Sequence, residues 1–202
     1  MNKINEKERK GVYTKMTWQV DKSHTHINFV ARHMMISKVR GEFTDYDIDV
    51  NFDENNPAAT TVNVAIKADS INTRDEKRDA HLKSPDFFNA AEYPVLTFKS
   101  KRVEQKSPTH GRLIGDLTIR GITHEVALDV DYSGVVKSPW GSHSAGFSAK
   151  TTVNRKDWDL NWNVALEAGG WLVSDQVTIE IDLELAQVPE VVAEAGVAEA
   201  AA

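Results

Sequence analysis

The chain has 202 residues, 41% of them hydrophobic and 27% charged, an ordinary globular composition with length enough for one large all-β domain. Its formal net charge is -6, half of it carried by Glu190, Glu194 and Glu199 near the C-terminus, so no basic nucleic-acid-binding surface is expected. There is no cysteine, hence no disulfide framework and no thiolate chemistry, and no apolar run long enough for a signal-peptide core or a bilayer span. A cytoplasmic location is the expectation.

Residues 1–16 are mostly polar and charged without a period and are expected to form a flexible leader. A first strand starts at Trp18 and carries Ile27, Phe29 and Ala31 on one face, with His24-Thr25-His26 inside it. His33-Met34-Met35-Ile36 breaks the alternation. After Gly41, Tyr46, Ile48, Val50 and Phe52 face one way and Asp45, Asp47, Asp49 and Asn51 the other, before Asn55-Asn56-Pro57 turns the chain. Val62, Val64 and Ile66 mark a third strand.

The stretch from Ser70 to Ser100 interrupts this pattern. Thr73 and Glu76 have capping-box spacing, which predicts a helix starting near Arg74 and running through Leu82, with a second turn opened by Ser84-Pro85. Only Ala80 and Leu82 are apolar along it, so it lacks a core-covering stripe. Phe87-Phe88 follow at once, as expected of a helical connector, near residues 74–90, that blocks or guards the mouth of a barrel.

Alternation resumes at Leu96 and Phe98. It continues through Leu113–Ile119, turns at Gly121 and runs back along Val126, Leu128, Val130 and Tyr132. Phe147, Ala149, Thr151 and Val153 give a seventh strand. The period-two run from Val177 through Ile179, Ile181 and Leu183 to Leu185, with Glu180, Asp182 and Glu184 opposite, is the eighth. Residues 17–187 are thus expected to form one domain and 188–202 a disordered tail. About eight strands with one apolar and one charged face require an antiparallel sheet with one wet side, closed into a barrel or folded into a sandwich; the pattern leaves that choice open.

Several segments together resemble the YceI-like family. They are His24-Thr25-His26-Ile27-Asn28-Phe29, Val39-Arg40-Gly41-Glu42-Phe43, Ser70-Ile71-Asn72-Thr73, Arg78-Asp79-Ala80-His81-Leu82, Ser84-Pro85-Asp86-Phe87-Phe88, Phe98-Lys99-Ser100, Gly115-Asp116-Leu117-Thr118-Ile119-Arg120-Gly121 and Asn154-Arg155-Lys156-Asp157-Trp158. His33-Met34 and Tyr93-Pro94 add to the match, which spans roughly Trp18 to Gln187. His26 departs from the small or aliphatic residue more usual in that family, and Asp159 from a common glycine.

The resemblance implies an eight-stranded antiparallel lipocalin-like β-barrel. It further implies a long-chain polyisoprenoid or isoprenoid quinone bound in the lumen for carriage, storage or sequestration, often in a homodimer, with the membrane only as ligand source. It implies no enzymatic reaction, and no cofactor apart from that ligand. Candidate ligand contacts are Phe29, Val64, Ile66, Leu96, Phe98, Leu117, Leu128, Phe147 and Ile179 on the apolar strand faces, and Phe87 and Phe88 from the connector. Trp158 and Trp162 either line the pocket or plug its closed end; Met34 and Met35, unbranched and adaptable, suit a flexible chain or a plain core.

The alternative function class is a metal-assisted hydrolase using rim histidines. His24 and His26, two apart, would share a strand face, with His33 and His81 reaching them only through the fold; without a firm third ligand this falls short of a zinc pattern, and no metal site is assigned. Arg78 and Asp79 are expected to anchor the connector to the barrel rim by charge-assisted hydrogen bonds rather than to serve, with His81, as a catalytic pair.

Overall fold

The structure is a computed structural model and describes residues 12–139, 141–167 and 169–193. Among the described residues eleven strands form one antiparallel sheet that curls into a barrel-like shell. They are β1 (Val12–Val20), β2 (His26–His33), β3 (Ser37–Phe43), β4 (Tyr46–Asn51), β5 (Thr61–Lys67), β6 (Ile71–Asn72), β7 (Val95–Gln105), β8 (His110–Ile119), β9 (Ile122–Lys137), β10 (His143–Asn154) and β11 (Val173–Ala193). The order is β4-β5-β7-β8-β9-β10-β11-β2-β3-β6, with β1 also paired to β11.

Three strands separate this count from the expected eight. His24 lies in a turn, so the first expected strand divides into β1 and β2. The break at His33–Ile36 is a hairpin turn leading into β3, and the two-residue β6 adds the third. The long β1/β11 ribbon pairs Val12 with Ala193 and Trp18 with Gln187. Residues 12–16 and 188–193, expected as flexible leader and tail, are therefore extended strand: each supplies the backbone hydrogen bonds the other lacks, a pairing that neither segment's own pattern announces. The remainder of both expected segments lies outside the described residues.

The period-two patterns set the register. Ile179 faces Thr151 and Phe29 across its two neighbours, and Ile181 faces Ala149 and Ile27, so the apolar face of β11 continues around the sheet. Bulges at Gly146/Phe147 and Ser100/Arg102 help bend long strands into the shell. The edge strands meet where the chain passes from β3 to β4: the Thr44 amide donates to the Ser70 carbonyl at 3.2 Å and the Lys67 amide to the Asp45 carbonyl at 3.0 Å.

The one α-helix among the described residues, α1 (Glu76–Lys83), starts two residues later than the capping box predicts. Asp75 is the cap, its carboxylate accepting from the Lys77 and Arg78 amides. Thr73 turns the other way, donating its amide and hydroxyl to Asp79 at 2.9 and 2.5 Å, while the Arg78 Nε donates to the Thr73 hydroxyl at 2.7 Å. An aspartate placed one turn into the helix thus out-competes Glu76 for Thr73. The anchor expected of Arg78 and Asp79 is present, and it ties α1 to the strand end just before it.

Candidate functional site

The shell encloses an apolar cavity of about 330 Å³. Phe29, Val64, Ile66, Leu96, Phe98, Leu117, Leu128, Phe147 and Ile179 line it from the strands, as do Phe87, Phe88 and Trp158 from the segments that cross one end. Met34, Met35 and Trp162 do not. Close packing shapes the wall: a Cβ on Gly115 would lie 2.5 Å from both the Lys99 carbonyl oxygen and the Phe98 ring, and one on Gly41 would lie 2.3 Å from the Phe29 ring.

A lid closes that end. Phe87 is buried in the same hydrophobic cluster as Ile66, Leu96, Leu117, Ile119, Trp158 and Leu160, and Phe88 packs edge-on against Phe43 with ring centroids 5.8 Å apart. Trp158 is 2% exposed and donates its indole N–H to the Leu117 carbonyl at 3.1 Å, which fixes the ring over the lumen. It arrives there on a short 3-10 turn, Arg155–Trp158, capped by the Asn154 side chain and ended by Asp159 at φ 58°. That left-handed conformation explains why a glycine would serve at position 159; Asp is among the few other residues that tolerate it.

Trp162 meets Phe87 at 5.3 Å and His81 at 4.6 Å. The connector and the tryptophan segment therefore form one lid at one end of the lumen. Of the two roles open to the tryptophans, both belong to the closed end, and Trp158 also lines the cavity. Arg120, which enters the sequence reading only as part of the resembling segment that ends at Gly121, binds the halves together: in the β8–β9 hairpin turn it donates through Nη1 to the carbonyls of Phe87 (2.7 Å), Pro85 (3.2 Å) and Asp159 (3.4 Å). The sequence signal for it is its place in that segment, beside the turn glycine Gly121.

Arg155 likewise enters the sequence reading only within a resembling segment, with no role attached. It is 4% exposed, lines the cavity and donates Nε to the Ser174 carbonyl at 3.0 Å and Nη1 to the Leu160 carbonyl. Burial lowers its pKa, offset in part by Asp175, whose carboxylate lies 3.6 Å from Nη2. At the far end Thr60, Gln105, Thr109, His110 and Arg112 join the lining; the Thr60 hydroxyl is buried there without a hydrogen-bond partner among the described residues, while Arg112 Nε lies 3.5 Å from the Asp129 carboxylate.

Met34 and Met35 are neither cavity nor core. They occupy the centre of the β2–β3 turn at φ 51° and 64°, with the Ile36 amide donating to the His33 carbonyl at 3.2 Å, and both are exposed. This is type I′ geometry, usually given to Asn-Gly, and each methionine there costs about 1–3 kcal/mol of backbone strain.

The histidines do not converge. His81 Nε2 bonds the Asp86 carboxylate at 2.9 Å on the lid, whereas His24 Nδ1 bonds Asp21 at 2.9 Å beside β1. His24 is not on a strand with His26, because β2 begins only at His26. Asp21, His24 and Glu184 bring three possible ligand atoms within 4.8 Å of one another. Hydrogen bonds from Ser23, then His24, hold the Asp21 carboxyl down at about 2, and the Asp21 carboxylate in turn raises His24 above its usual range. The arrangement is a self-satisfied surface network.

An antiparallel shell with an apolar lumen and a pinned aromatic lid defines a class of small barrel built around an internal apolar space. The chain belongs to the YceI-like domain family, whose model matches residues 18–185. It is 41% identical over 165 residues to a UPF0312 protein of Staphylococcus aureus (strain N315), covering 81% of this chain and 94% of that one. The Campylobacter jejuni YCEI crystal structure is 32% identical, with TM-score 0.64 over 81% of this chain and 90% of that one. A polyisoprenoid binding domain from Saccharophagus degradans, implicated in plant cell wall breakdown, has the same fold at 14% identity, with TM-score 0.57 over 85% and 98% of the two chains. Among the described residues no helix is long and apolar enough to cross a membrane.

Proposed function

We propose that the lumen holds the chain of a long polyisoprenoid or isoprenoid quinone, which the protein carries, stores or sequesters without chemical change. The observation that carries this reading is the continuous apolar cavity, walled by strand residues such as Phe98, Leu117 and Ile179 and capped by Phe87 and Trp158. Family membership and the likeness to a polyisoprenoid binding domain support it. Cytoplasmic residence and a homodimer, expected from the sequence and from the resemblance respectively, belong to the same proposal.

Energetics set the mode of action. Burying one CH₂ from water is worth about 0.8 kcal/mol, so a five-carbon prenyl unit offers roughly 3–4 kcal/mol. A ligand drawn from a bilayer leaves one apolar medium for another, and most of that gain cancels. Net affinity then rests on fit, head-group contacts and chain ordering, which favours reversible exchange with membranes. A lumen of 330 Å³ is at the small end of the about 300–1,000 Å³ usual for ligand sites, so a long chain requires side chains such as Phe88 to turn aside.

Native mass spectrometry of protein extracted from cells without detergent tests the reading. A co-purifying prenyl lipid that raises the melting temperature is expected. A lumen that stays empty, with no thermal shift on adding prenyl alcohols or quinones, refutes it; stoichiometric zinc lost in His24→Ala would point to the hydrolase instead.

A further inference from the structure

Among the described residues eight large hydrophobic side chains are exposed, and five of them, Met34, Met35, Ile36, Val164 and Trp171, gather on one rim. Ile36 is 81% exposed, Met35 64% and Trp171 51%. The contacts that assemble the rim are backbone ones: the Met34 amide donates to the Leu172 carbonyl at 2.8 Å, and the Leu172 amide to the Val164 carbonyl at 2.9 Å. Met35 sulfur packs so closely on Gly170 that a Cβ there would lie 2.5 Å away. The same loop carries Trp162 onto Phe87 and His81, so the rim stands beside the lid.

Neither folding nor the lumen asks for these side chains. The methionines hold a left-handed turn that Asn-Gly would hold without strain, and they touch neither core cluster nor cavity. An apolar tip kept at the cost of strain and exposure calls for an apolar medium to enter.

The charges beside the tip say which medium. Arg32 and Lys38 are exposed and stand directly opposite each other across β2 and β3, a like-charge pair that disfavours the hairpin on its own. Among the described residues neither lies within ion-pair distance of an acid, although Lys38 helps lower the pKa of Glu180. Lys156 sits 5.9 Å over the Trp171 ring while pairing with Asp175 at 2.9 Å. Glu167 is the one acidic residue between Asn161 and Leu172. Arg32 and Lys38 thus place two exposed cationic side chains beside the apolar tip, which gives this rim charge complementarity to an anionic surface.

We propose that the Met34-Met35-Ile36 tip, with Val164 and Trp171, inserts into the interfacial layer of an anionic phospholipid bilayer. Arg32 and Lys38 meet the head groups, and the lid is thereby set against the lipid phase. Methionine and isoleucine enter the acyl boundary, and tryptophan takes its usual interfacial level. The inference supplies the contact that exchange under the proposed function needs, but it does not require that function to hold.

The test is co-sedimentation of the full chain with vesicles free of prenyl lipid, either phosphatidylcholine alone or phosphatidylcholine with about one-third phosphatidylglycerol. Binding to the anionic vesicles and little to the neutral ones is expected. Met34→Asn with Met35→Gly should keep or raise the melting temperature while lowering the partition coefficient about tenfold or more, and Arg32→Glu with Lys38→Glu should abolish the preference for anionic lipid. Equal binding by the Asn-Gly variant, or no binding by the parent chain, overturns the proposal. A dimer that dissociates in that variant would assign the rim to a second copy and overturn it too. Because the vesicles contain no prenyl lipid, failure of the carrier reading leaves this result unaffected.

Discussion

Replacing Arg120 by methionine should loosen the lid while leaving the barrel intact. The Arg120 side chain is 17% exposed, and its Nη1 reaches the Phe87 carbonyl at 2.7 Å, a hydrogen bond from a charged donor. Such bonds are worth about 1.5–3 kcal/mol net. Those to Pro85 and Asp159, at 3.2 and 3.4 Å, use the same nitrogen and add little, and the 3.8 Å pairing with the exposed Asp159 carboxylate adds less still. Methionine keeps the aliphatic stem and pays the same penalty at φ 50°, so the hairpin turn itself is not the variable. The lid should therefore open more easily by about 2 kcal/mol, a roughly 30-fold rise in its open population.

Native-state hydrogen exchange reads this directly. The amides of Phe88, Asn89 and Ala90, bonded to Leu82, Ser84 and Lys83 carbonyls at 3.0, 2.9 and 3.0 Å, should exchange roughly 30-fold faster, while amides shared by β9 and β10 stay unchanged. Unchanged lid exchange, or uniform acceleration through the sheet, would refute the account of Arg120 as the pin between the two lid segments.

Three further outcomes are expected. Gly115→Ala should lose about 1–3 kcal/mol in denaturant melts, because its Cβ would meet the Lys99 carbonyl oxygen at 2.5 Å and a backbone cannot swing aside as a side chain can; a neutral result would mean that β7 shifts freely. Ile181→Asp places an unpaired carboxylate in the lumen wall and should cost about 2–4 kcal/mol, whereas Asp182→Lys on the exposed face should change little. Glu180 is a poorer control, since it pairs with Lys150 at 2.8 Å and Arg40 at 3.6 Å. In NMR titrations Asp21 should titrate near 2, and Ser23→Ala and His24→Ala should each raise it, with no rise in either variant refuting the assignment of causes. The depressed Asp21 contributes stability above its usual 3.8 that is lost as pH falls through about 2, while the raised His24 contributes fully below 6.5 and loses its contribution as pH rises through its folded value.

The all-β class, the antiparallel sheet and most of the lumen wall were legible in the chain, because a strand's side chains alternate at period two whatever its neighbours are. That is why Val64, Phe98, Leu117 and Ile179, picked from alternation, meet in one cavity. The helix was legible too, but its cap was not: Asp75 and Asp79 compete with Glu76 locally, and spacing alone does not rank them. What tertiary structure decided were the contacts between segments far apart in sequence. Arg120 reaches the Phe87 carbonyl across 33 positions, Trp158 reaches the Leu117 carbonyl across 41, and β1 finds its partner at the opposite end of the chain. No local pattern encodes which carbonyl a distant side chain will meet. The pair Met34-Met35 shows the same limit from the other side: their composition reads as lumen or core, and only the closing of β2 onto β3 puts them on an exposed turn, at positive φ, beside the lid.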